Sequence, residues 1–343
     1  MDSRADIHGV MIPGAVNTGA VRPRVSQVGS EYVPEGHPVT LNNNTRYQRA
    51  EQLPDSMTTR EVSNPQRFRI GYLGPEGTFS QQAAKIYAQG FANAELIAFL
   101  SIEDMLVSVD SGRIEAAVAP MENSTEGPVN VTIDTLLFDV KLSIHKQMSL
   151  TISQCLMVGA KIDDTTSARD KIERVYGHSQ TLAQCRKYLR ERFPFAERRP
   201  VASNAEGARL ASGDALSIAV GSKLAAETYG LYVMAENIQD ESDNETIFAA
   251  LMKTEPPAIV RNGKITITFS TQNRPGELYG VLGIFAMWEI NITKIISRPI
   301  KGKPGQYMFY VELEDYGESD ARDALAMIRR KTSEYKYLGS YPK

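Results

Sequence analysis

An α/β domain of two lobes around a cleft, followed by a ferredoxin-like βαββαβ unit, is the fold that this sequence predicts. Three observations carry the prediction. From Phe68 to residue 254, short apolar strand runs alternate with helical stretches, the pattern of a largely buried sheet. Past Pro256 and Pro257 the pattern changes to alternating strands and two helices in the order βαββαβ, over about 75 residues. Polar loops recur at the strand ends of the first part, as the walls of a cleft require.

Residues 1–66 carry six prolines between Pro13 and Pro65, the run LNNNT and no sustained apolar period. Such a segment buries too little apolar surface to offset its ordering entropy, so a disordered extension is predicted. It is arginine-rich, as a transit peptide is, but its acidic residues argue against one. The first domain is placed at 67–254. There RIGYLG (69–74), AELIAFL (94–100), IEAAVAP (114–120), IERVYG (172–177) and LSIAVGS (216–222) read as strands. SQQAAKIYAQ (80–89), IEDMLVSVDSG (102–112, stopping at Gly112), TLAQCRKYLRER (181–192) and EGARLAS (206–212) read as helices. The second domain is placed at 262–343. KITITFST (264–271) is an alternating strand, and ELYGVLGIFAMW (277–288) a helix with Leu278, Leu282 and Phe285 on one face. NITKIISRPI and YMFYVELE are strands joined by the turn-forming KGKPGQ. SDARDALAMIRRKTSEY is a helix capped by Ser319 or Asp320, and YKYLGSY a last strand.

Lys and Arg number 38 against 41 Asp and Glu, for a net charge of −3, and they are scattered, so no nucleic-acid partner is expected. Four histidines far apart, and Cys155 and Cys185 outside any metal-ligand spacing, predict neither metal nor cofactor. Two thiols in so long a chain suggest a reducing compartment. No apolar run approaches the ~18 residues of a membrane span, and no secretory signal is evident. The expectation is a soluble cytoplasmic protein.

Three loops share a design. GPEGTFSQQAA sets Gly74 and Gly77 between a strand and a helix, with Thr78 and Ser80 near the cap. ENSTEGPVN follows the AAVAP strand, and ASNAEGARLA sets Ser203 and Asn204 at a helix start. Helix N-termini offer unpaired N–H groups and partial positive charge, so they bind carboxylates without arginine. Three such loops facing one cleft suit a small substrate with more than one carboxylate. Capping alone would account for each loop taken singly. ENSTEG exceeds that need, because a cap takes one hydroxyl or amide and this loop supplies several. His178 and Gln180 follow another strand, where a lone histidine is more often structural than catalytic. In IQDESDNETIFAAL, a polar turn through Asn244 leads into a strand with Thr246 at its mouth and Phe248 inside.

Together and in this order, GPEGTFSQQAA, PMENSTEGPV, HSQTLAQC, AAETYGL and IQD…NETIF resemble the prephenate dehydratase family. RPGEL and SRP further on are similar to its C-terminal ACT regulatory domain. The resemblance covers about residues 68–340 and leaves the N-terminal extension out. It implies two α/β lobes enclosing the site, similar to periplasmic binding proteins. The implied reaction, in phenylalanine biosynthesis, is a lyase step that removes water and carbon dioxide from prephenate to give phenylpyruvate, with no cofactor. Prephenate is a dicarboxylate with a ring hydroxyl, so its enzyme has to hold two carboxylates, orient the ring and assist hydroxyl departure. By the resemblance, Thr246 is the catalytic donor to the leaving hydroxyl, and Asn123, Ser124, Thr78, Gln180 and Ser203 bind substrate, with Asn123 facing it. Gly276, Glu277 and Leu278, with Ser297, Arg298 and Pro299, match the segments that bind phenylalanine in the family.

Several positions depart from the family pattern. Its Thr-Arg-Phe reads Thr246-Ile247-Phe248 here, with Ile247 on the opposite face of the strand. Gln147 and Gln154 stand where the family often carries Glu and His. Gly-Ala-Leu reads Gly276-Glu277-Leu278, and Glu-Ser-Arg-Pro reads Ile296-Ser297-Arg298-Pro299, from which weak or absent phenylalanine binding is expected. The alternatives are a non-aromatising prephenate decarboxylase, an arogenate dehydratase, or a catalytically inactive ligand-sensing relative. An ACT-like sheet uncovered on one side predicts symmetric association into a homodimer or homotetramer.

Overall fold

Helices on alternating sides of short apolar strands build the first lobe. Its elements are β1 (Phe68–Leu73), α1 (Phe79–Ala88), β2 (Ala94–Phe99), α2 (Ile102–Asp110), β3 (Ala116–Asn123), the two-residue β4 (Gly127–Pro128), α3 (Asn130–Asp134) and β5 (Ser143–Thr151). The structure is a computed structural model and describes residues 67–159, 169–314 and 316–343; the expected N-terminal extension, 1–66, lies outside the described residues. After β5 the chain crosses to a second lobe. That lobe comprises β6 (Cys155–Val158), β7 (Arg174–His178), α4 (Ser179–Gln184), α5 (Arg186–Arg192), β8 (Glu197–Val201), α6 (Asn204–Ser212), β9 (Ser217–Gly221), α7 (Lys223–Tyr229) and β10 (Tyr232–Ala235). A second crossing returns the chain as β11 (Glu245–Met252), which enters the first sheet between β3 and β5. The two sheets run β2-β1-β3-β11-β5 and β10-β6-β9-β7-β8. Two crossings between two sheets leave a cleft at the join.

One predicted helix is broken. TLAQCRKYLRER divides at Cys185 into α4 and α5. The second crossing is the cause, because the Asp240 carboxylate accepts from the Lys187 N–H at 3.1 and 3.2 Å, and the Asp240 N–H donates to the Gln184 carbonyl at 2.7 Å. A distant residue thus satisfies the free groups of a helix end.

The C-terminal domain comprises β12 (Gly263–Ser270), α8 (Glu277–Met287), β13 (Asn291–Pro299), β14 (Tyr307–Glu314), α9 (Glu318–Lys331) and β15 (Glu334–Pro342), the βαββαβ order. Its antiparallel sheet runs β13-β14-β12-β15. The cap of α9 is Gly317, with Ser319 and Asp320 inside the first turn, where Asp320 complements the helix dipole. The expected uncovered sheet face is covered. Phe309, Val311 and Leu313 of β14 pack under α8 and α9. Met308 and Tyr310, on the alternate face, share a core with Ala117, Ala119, Ile144 and Leu251 of the first lobe. The argument for association through a bare sheet therefore fails. Among the described residues, no helix is long and apolar enough to cross a membrane.

Candidate active site

The cleft holds a cavity of about 400 Å³, within the range of small-ligand sites. Contacts between the lobes close one side of it. Ser222, the cap of α7, donates from its hydroxyl to the Gly77 carbonyl at 2.6 Å, and the Tyr229 hydroxyl donates to the Glu76 carbonyl at 3.2 Å. Gly77 has a φ of +85°, and a Cβ there would lie 3.0 Å from Ala225 Cα. Glycine is what allows this approach.

Thr246 opens β11 at the cavity wall and is only 8% exposed. Its neighbour across the ladder is Asn123, the last residue of β3. Asn123 Oδ1 accepts from the backbone N–H groups of Thr125 and Glu126 at 3.1 and 3.2 Å. Those two donors decide which end of the amide is oxygen. Asn123 Nδ2 therefore donates to Asn244 Oδ1 at 2.7 Å and to Thr246 Oγ1 at 2.9 Å. Because Thr246 Oγ1 accepts that bond, its own proton is left for another acceptor. Among the described residues it has none.

The other predicted site residues divide. Thr78, Gln180 and Ser203 line the cavity with Asn123; Ser124 does not. Thr78 caps α1, accepting from the Gln81 N–H at 3.2 Å and donating to the Leu73 carbonyl at 3.1 Å. Ser203 caps α6, accepting from the Glu206 N–H at 3.1 Å. The first-turn residues Phe79, Ser80 and Asn204 line the cavity with them, and N–H groups of a first turn have no partner within a helix. Ser124 ties its loop to the second crossing instead. Its hydroxyl donates to the Asp243 carbonyl at 3.1 Å and accepts from the Glu245 N–H at 3.0 Å. Asn123 lines the cavity, but both ends of its amide are committed to protein groups, so its geometry is that of a holder of Thr246 more than of a substrate contact. Among the described residues, no Lys or Arg lines the cavity, and no group of three His, Cys, Asp or Glu side chains is placed to hold a metal.

Asn244, Ser222 and Gln154 are among the lining residues not taken as site residues from the sequence. Asn244 is buried and bridges the lobes, donating weakly to Gln184 Oε1 at 3.5 Å. Its position two residues before Thr246 on an extended segment was the available signal. Ser222 follows LSIAVG in the same cap design as the other loops. Gln154 sits on the first crossing, 2% exposed, with Oε1 buried and unpartnered among the described residues.

The sequence model of prephenate dehydratase matches residues 70–256, over half of the chain. The chain belongs to the prephenate dehydratase family. A prephenate dehydratase of Lactococcus lactis subsp. lactis is 37% identical over 280 residues, covering 80% of this chain and 97% of that one. The bifunctional chorismate mutase/prephenate dehydratase of Aquifex aeolicus is 36% identical over 284 residues, 82% of this chain and 75% of that protein. Among solved structures, the prephenate dehydratase of Arthrobacter aurescens in complex with L-Phe superposes with a TM-score of 0.70 at 31% identity, covering 80% of this chain and 90% of that one.

Departures from the prephenate dehydratase pattern fall mostly outside the cavity. Ile247 and Ile296 both pack against the core shared by the first lobe and the C-terminal domain. Gln147 donates to Glu312 Oε1 at 3.3 Å in the same interface. Gln154 alone reaches the cavity. In the C-terminal domain, the Arg298 guanidinium binds both Asp134 oxygens at 2.5 Å, on the sheet face away from α8, whose N-terminus carries Gly276, Glu277 and Leu278. Within one chain, Arg298 and α8 therefore lie on opposite faces of the sheet.

Proposed function

We propose that this protein converts prephenate to phenylpyruvate, carbon dioxide and water, with Thr246 as the catalytic donor. The observation that carries the reading is the Asn123-to-Thr246 hydrogen bond, which leaves the threonine proton without an acceptor among the described residues, at the edge of a cavity walled by helix N-termini. The free N–H groups at Thr78 and Ser203 suit the two carboxylates. As the ring carboxylate leaves as carbon dioxide, its bonding pair enters the ring and the C–O bond breaks. The Thr246 hydroxyl then meets the charge that develops on the departing oxygen, where a preorganised donor lowers the barrier most. The test is to incubate the protein with prephenate, and separately with arogenate, and identify the products. Release of carbon dioxide with the ring hydroxyl retained makes it a decarboxylase instead; no turnover of either substrate supports a ligand-sensing protein.

Phenylalanine binding is weak on this reading. Arg298 is committed to Asp134, Ile296 to an apolar core, and Glu277 adds a carboxylate at the start of α8. Loss of one charge-assisted bond is worth about 1.5–3 kcal/mol, at least tenfold in affinity. Calorimetry is expected to give a dissociation constant above the micromolar range, and a micromolar value overturns this. Homo-oligomer formation, kept as part of the proposal, would use exposed apolar groups such as Tyr279 and Met287 of α8, 79% and 70% exposed, and the unpaired edge of β13. A monomer in sedimentation at micromolar concentration counts against it.

A further inference from the structure

Strand β13 of the C-terminal domain grips both ends of the loop that carries Asn123. Its Lys294 ammonium pairs with the Glu122 carboxylate. Four residues on, and on the same face of the strand, Arg298 holds Asp134 at 2.5 Å and the Asn130 side-chain oxygen at 3.3 Å. Glu122 and Asn130 flank residues 123–129.

The end of β3 is a place that needs holding. Between Ile247 and Phe248 the register of β11 against β3 slips by one, so Met121 has no partner and Glu122 and Asn123 lie beyond the irregularity. A bulge of this kind re-aims the residues after it and interrupts the ladder that would fix them. Past it, Glu122 and Asn123 are paired with β11 and with the two residues of β4. The ion pair at Glu122 is the link from the other side of the sheet, and it is backed by further charges. Glu312, 1% exposed, lies 3.6 Å from Lys294 Nζ and accepts from the Tyr310 hydroxyl at 2.8 Å. Buried charges with their hydrogen bonds satisfied define one geometry, and removing one partner leaves the others uncompensated.

We propose that Lys294 and Arg298 are positioning residues: β13 fixes the loop 123–129, the loop fixes Asn123, and Asn123 aims the Thr246 hydroxyl. The C-terminal domain is then a structural component of the catalytic site. This rests on the dehydratase reading for its kinetic consequence, but the loop clamp itself is measurable without turnover.

The test compares the full-length variants Lys294→Met, Lys294→Arg, Arg298→Met and Lys336→Met. Lys336 serves as the control, since its ammonium donates to the Leu137 carbonyl at 3.0 Å in the same interface but away from the loop. Steady-state kinetics with prephenate and amide hydrogen exchange over residues 122–129 are both read. Lys294→Met and Arg298→Met are expected to lose kcat about tenfold or more, with KM held within about twofold. Exchange at 122–129 should accelerate in those two. Lys294→Arg should retain most of the rate, and Lys336→Met should match the parent in both readouts. Unchanged kcat and exchange in Lys294→Met overturn the inference, as does an equal loss in Lys336→Met, which marks general loosening of the interface. A parent without dehydratase activity whose loop still loosens in Lys294→Met retains the clamp and overturns the dehydratase reading alone. Should Lys294→Met fail to fold, Glu122→Gln reads the same step with shape preserved.

Discussion

The Thr246 hydroxyl differs from that of an ordinary strand threonine because Asn123 Nδ2, which can only donate, already occupies its oxygen at 2.9 Å. Asn123 is itself oriented by two backbone N–H groups and by Asn244, so the direction of one proton is set by four surrounding groups. Thr246→Ala should lower turnover by about 10²-fold or more, the scale of a positioned proton donor, whereas Thr246→Ser keeps much of the rate. Asn123→Asp is the sharper probe. A carboxylate there would accept from Thr246 and turn its proton out of the cavity, while facing the Asn244 Oδ1 that the amide now satisfies. We expect Asn123→Asp to lose at least as much kcat as Asn123→Ala. An Asn123→Asp enzyme as fast as the parent would mean that the threonine proton is not aimed by this bond.

Among the elements, two arginine clamps of like design hold the two sheets. Arg69 of β1 binds Glu115 at the entry to β3 through its side chain, at 3.1 and 2.8 Å, and through its N–H at 2.7 Å. Arg174 of β7 binds Asp214 ahead of β9 at 2.9 and 3.2 Å. In each case the side-chain hydrogen bond from arginine, ahead of the opposing effect of burial, holds the carboxyl below its usual range. A carboxyl depressed on folding contributes stability above its unfolded pKa, about 3.9 for Asp and 4.3 for Glu, and that contribution is lost as pH falls through the folded value. The unfolding temperature should therefore drop as pH is taken below about 4, and Glu115→Gln with Asp214→Asn should flatten that part of the profile. An unaltered acid limb in the double variant counts against both clamps. These strands were legible in the sequence because a buried sheet writes itself as apolar runs. The break at Cys185 was not legible, because its cause, Asp240, lies on the other crossing far along the chain. β5, SIHKQMSLT, is largely polar and offers no apolar run, and β6, CLMV, is an apolar run of only four residues. Thr246 had no distinguishing periodicity, and only the resemblance singled it out. Ser124 is placed in the site by the resemblance, and sequence does not distinguish a hydroxyl that lines a cleft from one that ties one loop to another.

At the scale of the whole molecule, the C-terminal domain is not an appendage. YMFYVELE places bulky apolar side chains on both faces of β14, the pattern of a strand covered on both sides, and the first lobe supplies the second cover. A close approach is at Gly339 of β15, with φ +145°, where a Cβ would overlap the Ile144 carbonyl oxygen of β5. Backbone meets backbone there, so no side-chain rotation relieves a substitution. Gly339→Ala should cost about 1–3 kcal/mol by overpacking, or roughly 1–2 °C of unfolding temperature per kcal/mol in a chain of this size. A chain ending at residue 256 is the extreme case. It exposes the back of the first sheet, including Ile144 and Leu251, which are fully buried in the intact protein, and it removes the partners of Glu122 and Asp134. Residues 70–256 carry every residue that lines the cavity, so a modular enzyme would survive this cut. We expect instead an aggregation-prone fragment without turnover, because a large exposed apolar face promotes association and the Asn123 loop has lost its hold. The measurement is size-exclusion chromatography with a prephenate assay on the truncated chain. A monodisperse fragment that turns over at the parent's rate would show the two domains to be independent, and would remove the physical basis for assigning β13 any part in the site.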